Sequence, residues 1–417
     1  MQPTVVSAIP RQRHRPIKAL AVLGTRPEAI KLAPVVRAMS DAPELTPVVV
    51  VTGQHREMVD QMLGMLDVTV SHDLHVMRDR QELSALTARL MDGLGVVIRA
   101  ERPDVVVVQG DTTTALCGAL AAFYERIPVA HVEAGLRTGV ADNPFPEELN
   151  RTLVGRIARW HFAPTLRAAA NLEAEAVPDE HIVVTGNTVI DNLLWVRGQD
   201  VGAAAFRTAD GTRRVLVTLH RRENQGGDMA AIARSLRRLA DRGDVELLLP
   251  LHRSPAVRDA LLPVLGGHPA VTLTDPLGYF DFVASLAACD LVMTDSGGIQ
   301  EEAPTLGKPV LVLRTTTERP EAVEAGAAKL IGTDPEDVYA HAARLLDDPG
   351  EHAAMAHAGN PFGDGRAAER IVTRLLRDIA EGRRNAQSVR EIRHAVAPHR
   401  RNRRSADIDD SRQVRIS

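Results

Sequence analysis

Short, wholly apolar runs recur along this 417-residue chain, each separated from the next by a stretch of helical period, and this alternation restricts the fold more than any other feature. Ala19 to Leu23, Val48 to Val51, Val105 to Val108, Val129 to Val132 and Ile182 to Val184 form a first set of strand candidates. Val215 to Leu219, Glu246 to Leu249, Val271 to Leu273, Leu291 to Met293 and Val310 to Leu313 form a second. Strands that are apolar on both faces belong in a sheet covered on both sides, the usual setting of parallel strands. Between them, Leu83, Leu86, Leu90, Leu94 and Val97 recur at three- and four-residue steps and predict a helix that buries a leucine stripe. From Gly198 to Arg214 small and polar residues interrupt the rhythm, which then resumes. The expected fold class is therefore α/β, with two doubly wound parallel-sheet halves.

Composition removes several classes of function. A chain that is 44% hydrophobic and 25% charged suits a globular enzyme, and a net charge of −4 gives no case for a nucleic-acid or membrane surface. Cys117 and Cys289 lie in apolar surroundings and read as reduced core thiols of a cytoplasmic protein. The basic residues near the N-terminus follow a short, mildly apolar start and do not precede a sustained one, so no secretory signal is expected. No apolar run approaches membrane-spanning length. Residues 1–16 are expected as a disordered tail, and so are residues 382–417, which are rich in arginine and poor in large apolar side chains. Neither CxxC nor HExxH spacing occurs, and GxGxxG is missing after the first strand, so neither a metal nor a nicotinamide cofactor is expected.

The strand ends carry the chemistry. In open α/β sheets the carboxyl ends of parallel strands share one rim, where ligands bind. At the end of the strand Leu291 to Met293, Ser296, Gly297 and Gly298 lead into a helix whose first turns carry Glu301 and Glu302. Glycines let a backbone approach a ligand, and the free N–H groups of a helix start favour an anion such as a pyrophosphate. A carboxylate one turn on, such as Glu302, can accept from ribose hydroxyls. After the first strand, Arg26 and Lys31 flank a helix start and suit a phosphate. The following strands end in Gln54 and His55, then Asp111, then Glu133. Asp111 is either an N-cap of the helix opening among the threonines or an acid facing the rim. Glu133 is either paired with Arg137 or poised in a cleft. Glu147 and Arg151 are one turn apart and could form a simple intrahelical ion pair. In the second half, His220 and His252 end successive strands, and Arg319 follows the last.

These motifs resemble a known family. GTRPEAIKLAPV, TGQHREM, QGDTTT, HVEAGLRT, PFPEELNR, GNTVID, HRREN, DSGGIQEEAP, GKPVLVLR and TTERPEAVEAG occur in the order found in the non-hydrolysing UDP-N-acetylglucosamine 2-epimerases, over a match from about Ile17 to about Ala380. The resemblance implies two Rossmann-like domains facing across a cleft, as in GT-B glycosyltransferases, and a homodimer. Residues 17–186 would form the first domain, joined by a C-terminal helix at 364–381, and residues 187–363 the UDP-binding second.

The implied reaction is the reversible conversion of UDP-GlcNAc to UDP-ManNAc without nicotinamide or metal, supplying ManNAc units for cell-surface polysaccharide. UDP leaves C1 while C2 loses its proton, giving a 2-acetamidoglucal, and UDP adds back after C2 is protonated from the other face. Carboxylates must move that proton, and cations with backbone N–H groups must stabilise the departing diphosphate. By resemblance Asp111, Glu133 and Glu147 are the acid and base groups, assisted by His220. Arg26, Lys31 and Arg151 would line the cleft, Ser296, Gly297 and Gly298 hold the diphosphate, Glu302 the ribose, and Arg319 further ligand atoms. Gln54, His55, Arg80 and His252 match positions of a second, activating UDP-GlcNAc site in relatives, although Glu57 stands where some have glutamine. The alternatives are a hydrolysing epimerase that releases UDP and ManNAc, a GT-B glycosyltransferase using a UDP-sugar, and a non-catalytic nucleotide-sugar sensor. A sensor would be expected to lack some of the carboxylates, and all three are present.

Overall fold

The structure is a computed structural model that describes residues 15–53, 62–76, 78, 81–199, 202–207, 211–221 and 227–396. The strands β1 (Ile17–Leu23), β2 (Leu45–Val51), β3 (His72–Asp73), β4 (Val105–Gln109), β5 (Val129–Val132), β6 (Trp160–Ala163) and β7 (Ile182–Val184) make one sheet in the order β3-β2-β1-β4-β5-β6-β7. A second sheet joins β8 (Arg213–Thr218), β9 (Val245–Pro250), β10 (Val271–Thr274), β11 (Leu291–Thr294), β12 (Val310–Val312) and β13 (Ala328–Leu330) in the order β10-β9-β8-β11-β12-β13. Every pairing in both sheets is parallel. The predicted α/β class with two doubly wound sheets is thus what the chain adopts, and each of the ten strand candidates lies on a strand.

The side-chain alternation explains why these runs had to be covered on both faces. Ala19, Ala21 and Leu23 of β1 join one apolar core with Val105 and Val107 of β4, whereas Leu20 and Val22 join another with Val106 and Val108. Successive residues of a strand point to opposite faces, so each face takes its own layer of helices. In the helix Leu83–Glu101, Leu90, Leu94 and Val97 are buried, while Leu83 at its start is exposed.

Three strands escaped the sequence reading, each for a physical reason. β3 is a two-residue edge of His72 and Asp73, with no apolar signal at all. In β6, His161 breaks the run, yet all four residues are buried because the strand lies inside the sheet. β13 is an edge strand of three residues containing Lys329.

In each sheet the chain winds outward in one direction and then reverses, which places β1 beside β4 and β8 beside β11. Loops leaving such neighbours diverge to opposite sides and open a crevice at the strand carboxyl ends. Both crevices receive the motifs singled out above.

The chain crosses between the sheets at Gly186 and Asn187 and returns at Phe362 and Gly363. The two crossings touch: Asn187 N donates to Phe362 O at 2.6 Å, and a Cβ on Gly186 would lie 3.0 Å from Gly363 Cα. The helix Thr188–Gly198 packs against both the helix Arg26–Asp41 and the helix Tyr279–Ala288. The last helix, Ala367–Val396, lies against Arg26–Asp41, and its Asp378 accepts from Nε1 of buried Trp160 at 2.8 Å. That helix extends through residues 382–396, which the sequence reading placed in a disordered tail. Extending an existing helix avoids the cost of nucleation, and the segment holds strong helix formers and no proline, so poor apolar content does not end it.

Gly135, just past β5, has φ of +89°, and an added Cβ would lie 2.1 Å from Ala168 O. Gly135→Ala therefore combines backbone strain with a clash against main chain. We expect a loss of ~3 kcal/mol, read as a lower urea midpoint with unchanged slope.

Candidate active site

The first crevice is built on a buried carboxylate. Thr25 caps the helix Arg26–Asp41, and Glu28 closes the capping box. Glu28 accepts from Gly24 N at 3.0 Å, from Thr25 N at 2.6 Å and from Thr112 Oγ1 at 2.6 Å, so it fastens the loop after β1 to the loop after β4. Burial pushes its pKa up to about 7 against these hydrogen bonds. A Cβ on Gly24 would meet Thr114 Oγ1 at 2.3 Å, so glycine is needed for the two loops to pack. This fixed helix start presents Arg26 and, one turn on, Lys31.

Glu133 lies next to it, in a backbone conformation with φ of +63° that side chains seldom adopt. Strain of this kind persists only where surrounding contacts over-determine it, and here they do. Lys31 Nζ pairs with Glu133 Oε1, Asn187 Nδ2 donates to the same oxygen at 3.0 Å, and Gln109 Nε2 donates to Oε2. Burial pushes the Glu133 pKa up, but the Lys31 and Arg319 charges and the donated hydrogen bonds outweigh it and hold the carboxyl below its ordinary value. Arg137, a possible partner from sequence, instead forks onto Glu175 at 2.6 and 2.9 Å. Glu133 is therefore paired with Lys31 and not with Arg137, and is buried just behind the cavity wall that Lys31 forms.

Asp111 pairs with Arg151 at 2.6 Å, and its carbonyl accepts from Asn150 Nδ2 at 2.9 Å. Burial raises its pKa, and the Glu133 and Glu147 charges add to that, against the pull of Arg151 and Lys31. The N-cap of the following helix is Thr112, which accepts from Ala115 N at 3.0 Å, so Asp111 is free of that duty. The intrahelical pair of Glu147 with Arg151 is not formed: Arg151 turns to Asp111 and, at 3.5 Å, to Glu148. Glu147 is left half-buried beside Asp111.

The second crevice faces the first. Asp295, fully buried at the end of β11, accepts from His220 N at 3.0 and 3.1 Å and from Arg221 N at 3.0 Å. His220 Nδ1 also lies 3.0 Å from Asp295 Oδ1, which fixes the ring and leaves Nε2 for a ligand. Burial pushes Asp295 up, but His220 and the backbone N–H groups hold it below its ordinary value. The helix Gly297–Thr305 has Ser296 at its N-cap and no side-chain cap, so among the described residues no side chain claims its first N–H groups. A Cβ on Gly298 would meet nothing within 4 Å, while one on Gly297 would sit 3.8 Å from Arg221.

Between the crevices is a cavity of about 670 Å³. Arg26, Lys31, His220, Ser296, Gly298, Glu302 and Arg319 line it together, as does His252, which the resemblance had assigned to a separate site. The His220 and His252 rings are 6.1 Å apart. Asp111, Glu133 and Arg151 stand behind Lys31 on the first-domain side. Gln54, His55 and Arg80 lie outside the described residues. Among the described residues no cluster could hold a metal ion, and no helix is long and apolar enough to cross a membrane.

Glu301 was not singled out. It accepts from Asn187 Nδ2 at 2.6 Å and pairs with Arg319, so one amide bridges Glu133 of the first domain and Glu301 of the second. Gln109 and Asn187 were also missed, although both lie inside quoted motifs; an apolar strand ending in glutamine was the available signal. Glu302 accepts from Tyr279 Oη at 3.3 Å, and burial with the nearby Glu301 charge pushes its pKa up to about 7.

An uncapped helix start ringed by cations, opposite a carboxylate cluster, agrees with the relatives. The family profile described as UDP-N-acetylglucosamine 2-epimerase matches residues 37–376. The chain belongs to the UDP-N-acetylglucosamine 2-epimerase family. Its sequence is 48% identical to the UDP-N-acetylglucosamine 2-epimerase of Escherichia coli K12 over 369 residues, covering 86% of this chain and 98% of that one. Among solved structures, a UDP-N-acetylglucosamine 2-epimerase assignment from Listeria monocytogenes superposes with a TM-score of 0.81 at 45% identity, covering 88% and 97% of the two chains. The UDP-GlcNAc 2-epimerase of Neisseria meningitidis, bound to UDP-GlcNAc, gives 0.80 at 42% identity, covering 87% and 100%.

In this family member the raised Glu302 pKa has a measurable consequence. The folded state binds the Glu302 proton more tightly than the unfolded state does, so this group favours folding least at high pH. Its destabilising contribution should grow as pH rises from about 4.5 to about 7 and then level off, on the order of 3 kcal/mol. Glu302→Gln cannot ionise, so its urea midpoint relative to the parent should climb between pH 5 and 8; a constant gap would mean Glu302 is not held protonated.

Proposed function

We propose that the protein interconverts UDP-GlcNAc and UDP-ManNAc by eliminating and re-adding UDP, without net hydrolysis. The observation that carries this reading is a cluster of carboxylates, Glu133 held by Lys31, Gln109 and Asn187 and Asp111 held by Arg151, across a cavity from an uncapped helix start; their environments push Glu133 down and Asp111 up. Environments that separate two carboxyl pKa values suit one group as base and the other as acid. Kinship with the Neisseria meningitidis enzyme, whose structure holds UDP-GlcNAc, supports that substrate.

In this scheme the diphosphate sits on the N–H groups that follow Ser296, with Arg26 and Arg319 beside it and Glu302 toward the ribose. His220, its ring set by Asp295, faces the sugar or the leaving phosphate. The C2–H bond breaks as a carboxylate takes the proton, the electron pair forms the C1–C2 double bond, and the C1–O bond to UDP breaks. The cations and helix N–H groups take up charge on the departing UDP. Return of a proton to the other face of C2, and of UDP to C1, completes the inversion. Glu133 is the proposed base and Asp111, with Glu147 beside it, the proposed acid. Arg151 keeps Asp111 in place.

Proton NMR in D₂O with UDP-GlcNAc and no added metal or nicotinamide tests the scheme. UDP-ManNAc carrying deuterium at C2 is expected. Release of free ManNAc with UDP would instead assign the hydrolysing reaction, and an unchanged spectrum from UDP-binding protein would reject epimerisation. Glu133→Gln should lower turnover by at least ~100-fold while UDP affinity changes little. A variant that retains its turnover removes Glu133 from the chemistry.

A further inference from the structure

Asn187 touches a carboxylate from each half of the site. Its Nδ2 donates to Glu133 Oε1 at 3.0 Å and to Glu301 Oε2 at 2.6 Å. The rest of the residue is equally committed: Oδ1 accepts from Val189 N at 3.2 Å, capping the helix Thr188–Gly198, and its own N–H donates to Phe362 O. Asn187 is buried, with 2% exposure, and the bonds at both ends of its carboxamide hold it against turning. With both amide hydrogens engaged by carboxylates, the orientation of the amide is also unambiguous, since an oxygen there would face two anions.

We propose that Asn187 is a positioning residue for the proton transfers, whose carboxamide clamps Glu133 and Glu301 at the point where the chain crosses between domains. This rests on the proposed function, in which Glu133 takes the substrate proton. A carboxylate oxygen that accepts a fixed amide N–H is held in one rotamer, and a shared donor keeps two like charges from driving each other apart. Lys31 alone could not do this, because its ammonium is a point charge on a flexible stem. The charged groups facing Glu133 are Lys31 from the first helix, Arg319 and Glu301 from the second domain and Asp111 beyond β4, with neutral His131 on β5 below it. None of them replaces the Asn187 donor.

The test uses Asn187→Ser, which keeps an N-capping oxygen but cannot span to both carboxylates. Loss of a donor to the ionised form makes Glu133 easier to protonate. The acidic limb of kcat/KM should therefore move up by about one pH unit. At pH 8, kcat should fall about tenfold with KM changed less than about threefold. A purely structural role would lower the thermal midpoint and leave the limb where it was, and that result overturns the proposal. Should Asn187→Ser not fold, the wild-type protein labelled with ¹⁵N-asparagine decides. The Asn187 carboxamide resonances should shift when Glu133→Gln is introduced, and unmoved resonances overturn the clamp. Failure of the proposed function would show as no epimerisation by the wild-type protein, and failure of the base role of Glu133 as full turnover in Glu133→Gln; both are separate from an unmoved pH limb in an active protein that needs Glu133.

Discussion

A carboxylate that stays ionised out of water needs donors, and those of Glu133 come from widely separated parts of the chain. Lys31 stands on the first helix, Gln109 at the end of β4 and Asn187 at the domain crossing, while Arg319 adds its charge from the second domain. An unpaired buried charge costs several kcal/mol, so each of these elements must be in place before the centre is stable. The reverse also holds. Once Glu133 is satisfied, the first helix, the β4 loop and the crossing have little freedom relative to one another. The strained φ of Glu133 is sustained by that same set of contacts.

The two crevices solve one problem in two ways. In each, a single buried carboxylate gathers backbone N–H groups and fastens a loop at the reversal of strand order: Glu28 from Gly24 and Thr25, and Asp295 from His220 and Arg221. Their electrostatic outcomes differ because their neighbours differ. Glu28 has neutral donors and burial raises it to about 7, whereas Asp295 has the His220 ring in contact and is held down. The first suits a static fastening. The second keeps a negative charge where it can orient an imidazole.

Much of this was legible from sequence, for identifiable reasons. Parallel strands covered on both faces announce themselves as apolar runs, and the residues just after the strands of one sheet must share a rim, so Arg26, Lys31, Asp111 and Glu133 could be grouped on the first sheet, and His220 with Ser296 on the second, before any coordinates. Partner choice was not legible. Arg137 and Lys31 are both cations within reach of Glu133 on paper, and only the packing of the first helix selects Lys31. Glu147 and Arg151 have ideal helical spacing, yet Arg151 turns to Asp111, which the end of β4 brings within 2.6 Å, and to Glu148 at 3.5 Å. Asn187 caps the helix Thr188–Gly198. Its second task depends on a glutamate 114 positions away. Short edge strands such as β13 were invisible because half-exposed residues carry no pattern.

The two chain crossings lie side by side, with Gly186 at φ +88° against Gly363 at φ +130°. Two connections at nearly one point act as a pivot and leave the far rims of the sheets without a covalent tie. Under rotation about a pivot, displacement grows with radius. Asn187 is on that axis and Glu133 is within one hydrogen bond of it, so both would stay nearly still while more distant cavity walls swing apart. A rotation of the two sheets about that point would therefore leave Glu133 and its first-domain donors Lys31 and Gln109 nearly unmoved relative to one another.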